Sequence, residues 1–208
     1  MNAILKRNAY LLTTDFNSPR ALFSKKILQQ IGFDVISFLA IPNNDPIMSH
    51  KLSMIQIYNI IENSPNEWSY IFEDDINILE QITLDEIIEY EKISTDNFFY
   101  LGICKWIDMS SISTTPHTIN NHKVYQVSGA VRGTHAIAFS KNGIKQFNQF
   151  IKHFSIVAYD MLIELYTLSN PANVIRCDLS STISGHLGLF FQDREKFKSS
   201  LHEHYYDV

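Results

Sequence analysis

Short apolar runs and amphipathic stretches succeed one another along the chain, and their order predicts strands and helices in turn. Tyr10 to Thr14 is apolar and ends in hydroxyls, the pattern of a short buried strand. Ser18-Pro19 then supplies an N-cap with proline at the first helical position, opening a helix to about Gln30 that Gly32 stops. Phe33 to Ile41 is rich in β-formers and reads as a second strand, and strand, helix, strand favours a parallel α/β sheet. Asp45-Pro46 repeats the cap signal. Met48, Leu52, Ile55, Tyr58 and Ile61 follow at three- and four-residue steps, the apolar face of a second helix. Trp68 to Phe72 is a third strand, and it delivers Glu73-Asp74-Asp75 at its C-terminal end.

Further on, Thr83 and Glu86 have capping-box spacing and start a helix toward Glu91. Phe98 to Ile103 is a fourth strand. Residues 108–121, rich in Ser, Thr and Asn with Pro116, read as a long surface loop of the kind that carries function. Val124 to Val127 and Ala136 to Phe139 are strands flanking Gly129 and Gly133, and Ser140 caps a helix to about His153. A helix from about Val157 to Leu168, a late strand from Val174 to Cys177 and a polar helix from Asp193 to His202 complete the prediction. No internal repeat and no linker breaks the chain, so residues 1–208 are expected to form one α/β domain, a mostly parallel sheet flanked by helices.

Composition narrows the function classes. A chain of 208 residues with 45% hydrophobic and 19% charged residues buries one substantial core. A formal charge of −5 with scattered lysines and arginines argues against nucleic acid as partner. Cys104 and Cys177 each lie in an apolar run, which suggests buried thiols in a reducing compartment rather than a disulfide or a CxxC metal site. The N-terminus has no signal-peptide pattern and no run of about 18 apolar residues occurs, so a cytoplasmic protein without a transmembrane segment is expected.

The candidate chemistry lies in the acidic run. Glu73-Asp74-Asp75 sits between apolar stretches with no Gly or Pro to form a tight turn, which holds three like charges beside a buried sheet. A cation makes that tolerable. In an extended segment Glu73 and Asp75 would face one side about 6.6 Å apart, with Asp74 facing the other. Such a pair suits Mg²⁺ or Mn²⁺, which share oxygen ligands between one or two carboxylates and a substrate's phosphates. A sugar nucleotide supplies such phosphates, and the carboxyl ends of strands are where open α/β sheets bind ligands.

The stretch from Ser49-His50 through Ile61, followed by Trp68 to Asp75, resembles glycosyltransferase family 25, whose members include lipopolysaccharide-biosynthesis and collagen galactosyltransferases. The strand Tyr10 to Thr14 with Arg20 downstream, and Gly133-Thr134-His135-Ala136 onward, look like further segments of that family. The resemblance implies a GT-A-like, Rossmann-like fold, a Mn²⁺-like ion, a nucleotide-sugar donor such as UDP-galactose, and inverting transfer to a hydroxyl of a glycan, glycolipid or glycoprotein acceptor. It also implies that Glu73-Asp74-Asp75 corresponds to the family's Asp-x-Asp motif with Asp75 a direct metal ligand. Ser49 and His50 would lie near the donor, and Thr13 and Arg20 would approach the nucleotide.

Inverting transfer needs a base for the acceptor hydroxyl's proton. Asp160, near the start of an apolar helix, is the candidate, and a cap or dipole partner is the alternative role for a carboxylate there. His186, flanked by Gly185 and Gly188, could bring a late metal or phosphate ligand, or be a loop histidine without special duty. His135 could line the acceptor pocket or serve as a hydrogen-bonded structural histidine. Lys105 and Trp106 follow a strand end and could touch sugar or phosphate, whereas His202 and His204 fall in a polar tail. A receiver domain would place its acidic pair after the first strand, where Thr13-Thr14 stand. A nuclease would want a basic cleft. A non-catalytic sugar-nucleotide-binding domain of the same fold is the remaining alternative.

Overall fold

Residues 7–94, 98–104, 117–119, 122–128, 132–154, 158–174 and 186–197 are described in the computed structural model. The first half follows its local signals closely. Strand β1 (Asn8–Thr13) leads to helix α1 (Pro19–Ile31), whose cap Ser18 accepts a hydrogen bond from the Ala21 amide. Gly32 closes the helix at φ 115°, a left-handed conformation that glycine adopts without penalty. Strand β2 (Asp34–Leu39), helix α2 (Pro46–Glu62, capped by Asp45) and strand β3 (Trp68–Glu73) complete a βαβαβ unit with parallel order β2-β1-β3.

The second half departs from simple alternation. After a turn at Asp74-Asp75, a short β4 (Ile76–Ile78) and α3 (Leu84–Ile93) precede β5 (Phe98–Cys104). The capping box between Thr83 and Glu86 is present in both directions. Strands β6 (His117–Ile119), β7 (His122–Val127) and β8 (Arg132–Ser140) lead into α4 (Lys141–Ile151) and α5 (Tyr159–Ser169), followed by β9 (Ala172–Val174), β10 (His186–Gly188) and β11 (Phe190–Gln192). The main sheet runs β2-β1-β3-β8-β5-β9-β7-β6, with β10 against β5, while β11 and β4 form a separate ribbon. Strand β8 is antiparallel to both β3 and β5, so the sheet is mixed beyond β3.

The period-two pattern sorts side chains into two cores. Tyr10, Leu12, Ile71, Ile137 and Phe139 face α2, α4 and α5, whereas Ala9, Leu11, Tyr70, Phe72 and Ala138 face α1 and α3. Helices therefore cover both faces, the α/β arrangement the sequence predicts. On the α3 side, Arg7 donates to both Glu91 oxygens at 2.8 and 2.7 Å, and Tyr70 donates to Glu91 at 2.6 Å, tying α3 to β3.

Several expectations need correction. The buried face of α2 is Ser53, Met54, Ile57, Tyr58 and Ile61, and Leu52 is 36% exposed. The helix is rotated because Ser53 lies inward, its hydroxyl accepting from the Ile41 amide at 2.8 Å and donating to the Ser49 carbonyl at 2.6 Å. The expected loop at 108–121 contains strand β6, the rest of it lying outside the described residues. The late strand ends at Val174, with 175–177 outside them as well. Residues 193–197 form a single turn, Phe197 donating its amide to the Asp193 carbonyl at 2.8 Å and the Asp193 carboxylate accepting from the Lys196 amide at 3.1 Å, and the rest of the expected helix, 198–202, lies outside the described residues. Among the described residues, no helix is long and apolar enough to cross a membrane.

Candidate functional site

The acidic run is not extended. β3 ends at Glu73 and the chain turns at Asp74-Asp75 before β4, so the strand spacing expected for the three carboxylates does not apply. They still separate as expected, Asp74 one way and the other two another. Asp74, 4% exposed, accepts from Thr13 Oγ1 at 2.6 Å and from Arg20 Nε at 2.7 Å, with Arg20 Nη2 also against it. Ser24 donates to the Asp74 carbonyl at 2.8 Å and secures the turn from α1. Charge and hydrogen bonds at Asp74 are thus met from within the protein.

Glu73 and Asp75 converge instead on one atom. Gln192 Nε2 lies 3.0 Å from Glu73 Oε2 and 3.5 Å from each Asp75 carboxylate oxygen. Thr134 Oγ1 donates to Glu73 Oε1 at 2.8 Å, and His50 Nε2 stands 3.5 Å from the same oxygen, longer than an ordinary hydrogen bond. Arg20 Nη2 is 3.7 Å from Asp75. Six elements meet here: the ends of β1 and β3, α1 through Arg20, the start of α2, β8 through Thr134, and β11 through Gln192.

The two carboxyls are driven apart electrostatically. Burial acts to raise Glu73, but the His50 contact, the charge of His135 and the Thr134 donor outweigh it and bring Glu73 down to about 2. Asp75 goes the other way. Burial, then the Glu73 charge, pushes it up to about 7, against the opposing charge of Arg20. The Cys104 thiol, which faces Gln192 Oε1 at 3.7 Å, is pushed up to about 12 mainly by burial. Glu73, Asp75 and Asp160 all add to that rise while Arg194 opposes it.

The remaining candidates fall in different places. Thr13 is buried with its hydroxyl committed to Asp74, and Arg20 clamps Asp74. Ser49 donates to the Ile41 carbonyl at 2.6 Å, holding the loop before α2. His50 is half-buried at the site itself, its ring edge-on to Tyr159 with centroids 5.7 Å apart. Asp160 opens α5, its carboxylate accepting from the Met161 amide at 3.0 Å, and it is half-buried. His135 is fully buried with Nε2 3.2 Å from the Phe190 carbonyl oxygen, which places it behind the site. His186 begins β10, its backbone paired with Cys104. Lys105, Trp106, Cys177, His202 and His204 lie outside the described residues.

Gln192, Thr134 and Arg194 are the site residues that sequence reasoning did not single out as ligating or positioning groups. A signal for Gln192 exists: the apolar run ending at Phe191 gives way to Gln192-Asp193-Arg194, a polar triplet following a strand as Glu73-Asp74-Asp75 does.

The donor set can be tested against a divalent cation. Among the described residues no three His, Cys, Asp or Glu side chains form a metal-binding group. Glu73 and Asp75 nevertheless aim oxygens at one shared N–H donor, and a hard cation completed by phosphate and water needs only one or two protein carboxylates. The residues fit Mg²⁺ or Mn²⁺ as an open two-carboxylate site.

No protein-family model matches the chain, and no curated protein matches it. Solved structures give distant likenesses. A197 from STIV has a TM-score of 0.47 at 11% identity, with 81% of each chain covered. HddC from Yersinia pseudotuberculosis has a TM-score of 0.41 at 13% identity, covering 81% of this chain and 88% of that one. A protein designated a glucose-1-phosphate thymidylyltransferase from Bacillus anthracis, solved with a sucrose, has a TM-score of 0.44 at 9% identity, covering 79% and 83%. Likenesses of this order leave the functional reading to the site's own geometry.

Proposed function

We propose that the chain is a divalent-cation-dependent glycosyltransferase of GT-A type, similar to family 25, which moves a hexose from a nucleotide-sugar donor to a hydroxyl of a glycan, glycolipid or glycoprotein. The observation that carries the reading is the convergence of two carboxylates, the half-buried Glu73 and the buried Asp75, on a single donor atom beside the carboxyl ends of the parallel strands β1 and β3. A bound Mg²⁺ or Mn²⁺ would neutralise the leaving diphosphate. Glu73, kept ionised by His50 and Thr134, would supply one fixed negative ligand, and Asp75 would become fully ionised only when a cation offsets its burial.

Asp160 is the proposed base. It stands half-buried in the first turn of α5, and its charge reaches the Cys104 thiol, on which the charges of Glu73 and Asp75 also act. UDP-galactose is the first donor to test, with inversion the expected outcome. A non-catalytic nucleotide-sugar-binding role is favoured by one observation: the Gln192 amide already serves both carboxylates from within the chain.

The test is a thermal-shift screen of nucleotide sugars with and without Mn²⁺, followed by nucleotide release. A rise in melting temperature that needs both components, with release abolished in Asp160→Asn while donor binding persists, is the expected result. Binding without release by the wild type selects the non-catalytic reading. No stabilisation by any nucleotide sugar at millimolar Mn²⁺ removes both.

A further inference from the structure

The Gln192 side chain is polarised by its surroundings. Among the described residues its Nε2 faces acceptors, Glu73 Oε2 at 3.0 Å and the two Asp75 oxygens at 3.5 Å, while its Oε1 accepts from Arg194 Nη2 at 2.9 Å and from the Cys104 thiol at 3.7 Å. An inverted amide would set its oxygen against two carboxylates and its N–H groups against a guanidinium, so the partners themselves fix the orientation. The backbone beneath it is pinned. Gln192 pairs with Ile76 across the β11–β4 ribbon, and the next residue donates its amide to the Asp75 carbonyl at 2.8 Å.

Asp75 is poorly served by this arrangement. It is 2% exposed, yet among the described residues its side-chain donors stand at 3.5 Å and 3.7 Å, long for a carboxylate acceptor. A buried carboxylate with only long contacts is an acceptor aimed into the site and still short of positive charge.

We infer that the Gln192 amide is a resident counter-donor that stands between Glu73 and Asp75 in place of a divalent cation and withdraws when the cation binds. This rests on the cation reading proposed above and adds a residue that sets the affinity of the site. An ion about 2.1 Å from those carboxylate oxygens would need the space that the two amide hydrogens fill. Because the backbone is held by the ribbon, the exchange is a side-chain rotation about the three χ angles of Gln192, which leaves β11 in place. Gln192 therefore steadies the pair without metal and competes with metal for it.

The experiment is a calorimetric titration of Mn²⁺ into wild type and Gln192→Met, with melting curves in the presence and absence of Mn²⁺. Methionine keeps the length of the side chain and removes the donor. Loss of a charge-assisted contact should tighten Mn²⁺ binding about tenfold. The variant should melt below wild type without Mn²⁺, and the gap should close as Mn²⁺ saturates. Equal or weaker Mn²⁺ binding by a folded variant overturns this inference alone, whereas absence of Mn²⁺ binding by both proteins overturns the cation reading and this inference with it. Should Gln192→Met fail to fold, a Mg²⁺ titration of ¹⁵N-labelled wild type decides the matter. The Gln192 side-chain amide resonance should move and exchange faster with water as the site fills, and a resonance unchanged through saturation overturns the inference.

Discussion

Asp74 and Asp75 are neighbours and both are buried, but the regions that receive them are built differently. The Asp74 side is backed by β1 and α1, and Thr13 and Arg20 reach its carboxylate at 2.6 and 2.7 Å. The Asp75 side is backed by β11, with Gln192 at 3.5 Å and a second, longer contact from Arg20 at 3.7 Å. One side is a finished ion pair that anchors the turn. The other leaves a buried carboxyl without a close counter-charge, so that it holds its proton to about pH 7, and adjacent residues of the same type come to differ in charge through their surroundings alone.

The largest expected effect comes from disturbing the frame behind the Asp75 side. A Cβ at Gly102 would lie 2.2 Å from the Phe190 carbonyl oxygen and 2.5 Å from His135 Nε2, and neither a paired backbone nor a buried ring can yield cheaply. Gly102→Ala should therefore lose about 4 kcal/mol or more, or fail to fold. A denaturation midpoint equal to wild type would show that β5 and β11 are not in close register.

Next, Asp74→Asn leaves Arg20 without its main partner and should cost about 3 kcal/mol in chemical denaturation. A loss under about 0.5 kcal/mol, the range of ordinary surface substitutions, would erase the contrast between the two aspartates.

The smallest effect is in the pH dependence. Asp75 is raised to about 7 from an ordinary 3.8, so between those values the folded state holds a proton that the unfolded state has released. Its contribution is fully present below pH 3.8 and is lost as pH rises through 7. Glu73, lowered to about 2 from 4.5, acts oppositely: its contribution is present above 4.5 and is lost as pH falls toward 2. From pH 5 to pH 7 Asp75 alone titrates of the two, and the cation-free protein should lose about 2 kcal/mol. Asp75→Asn should remove that slope, and a wild-type melting temperature that rises over the same interval would contradict the assignment.

Legibility in sequence follows the same division. Elements stopped or started by local chemistry were readable from a few residues: Ser18-Pro19, Gly32, Asp45-Pro46, Thr83 with Glu86, and Ser140 each cap or close a helix where the pattern places it. The carboxylates were readable because three charges beside an apolar strand are costly unless partnered. Gln192 was not, since an uncharged amide imposes no such cost, and the polar triplet that it opens does not tell that its partner Glu73 lies 119 positions away. The inward turn of Ser53 and the antiparallel insertion of β8 between β3 and β5 likewise depend on distant backbone, which hydrophobic spacing does not encode.

The ribbon of β4 and β11 also bears on how the chain acquires its native state. Contacts of such separation raise contact order and close late. During synthesis, the segment bearing the two acids emerges well before the strand that caps them. Until that strand arrives, Glu73 and Asp75 are without the Gln192 amide, so closure of the ribbon is the folding event that completes their surroundings.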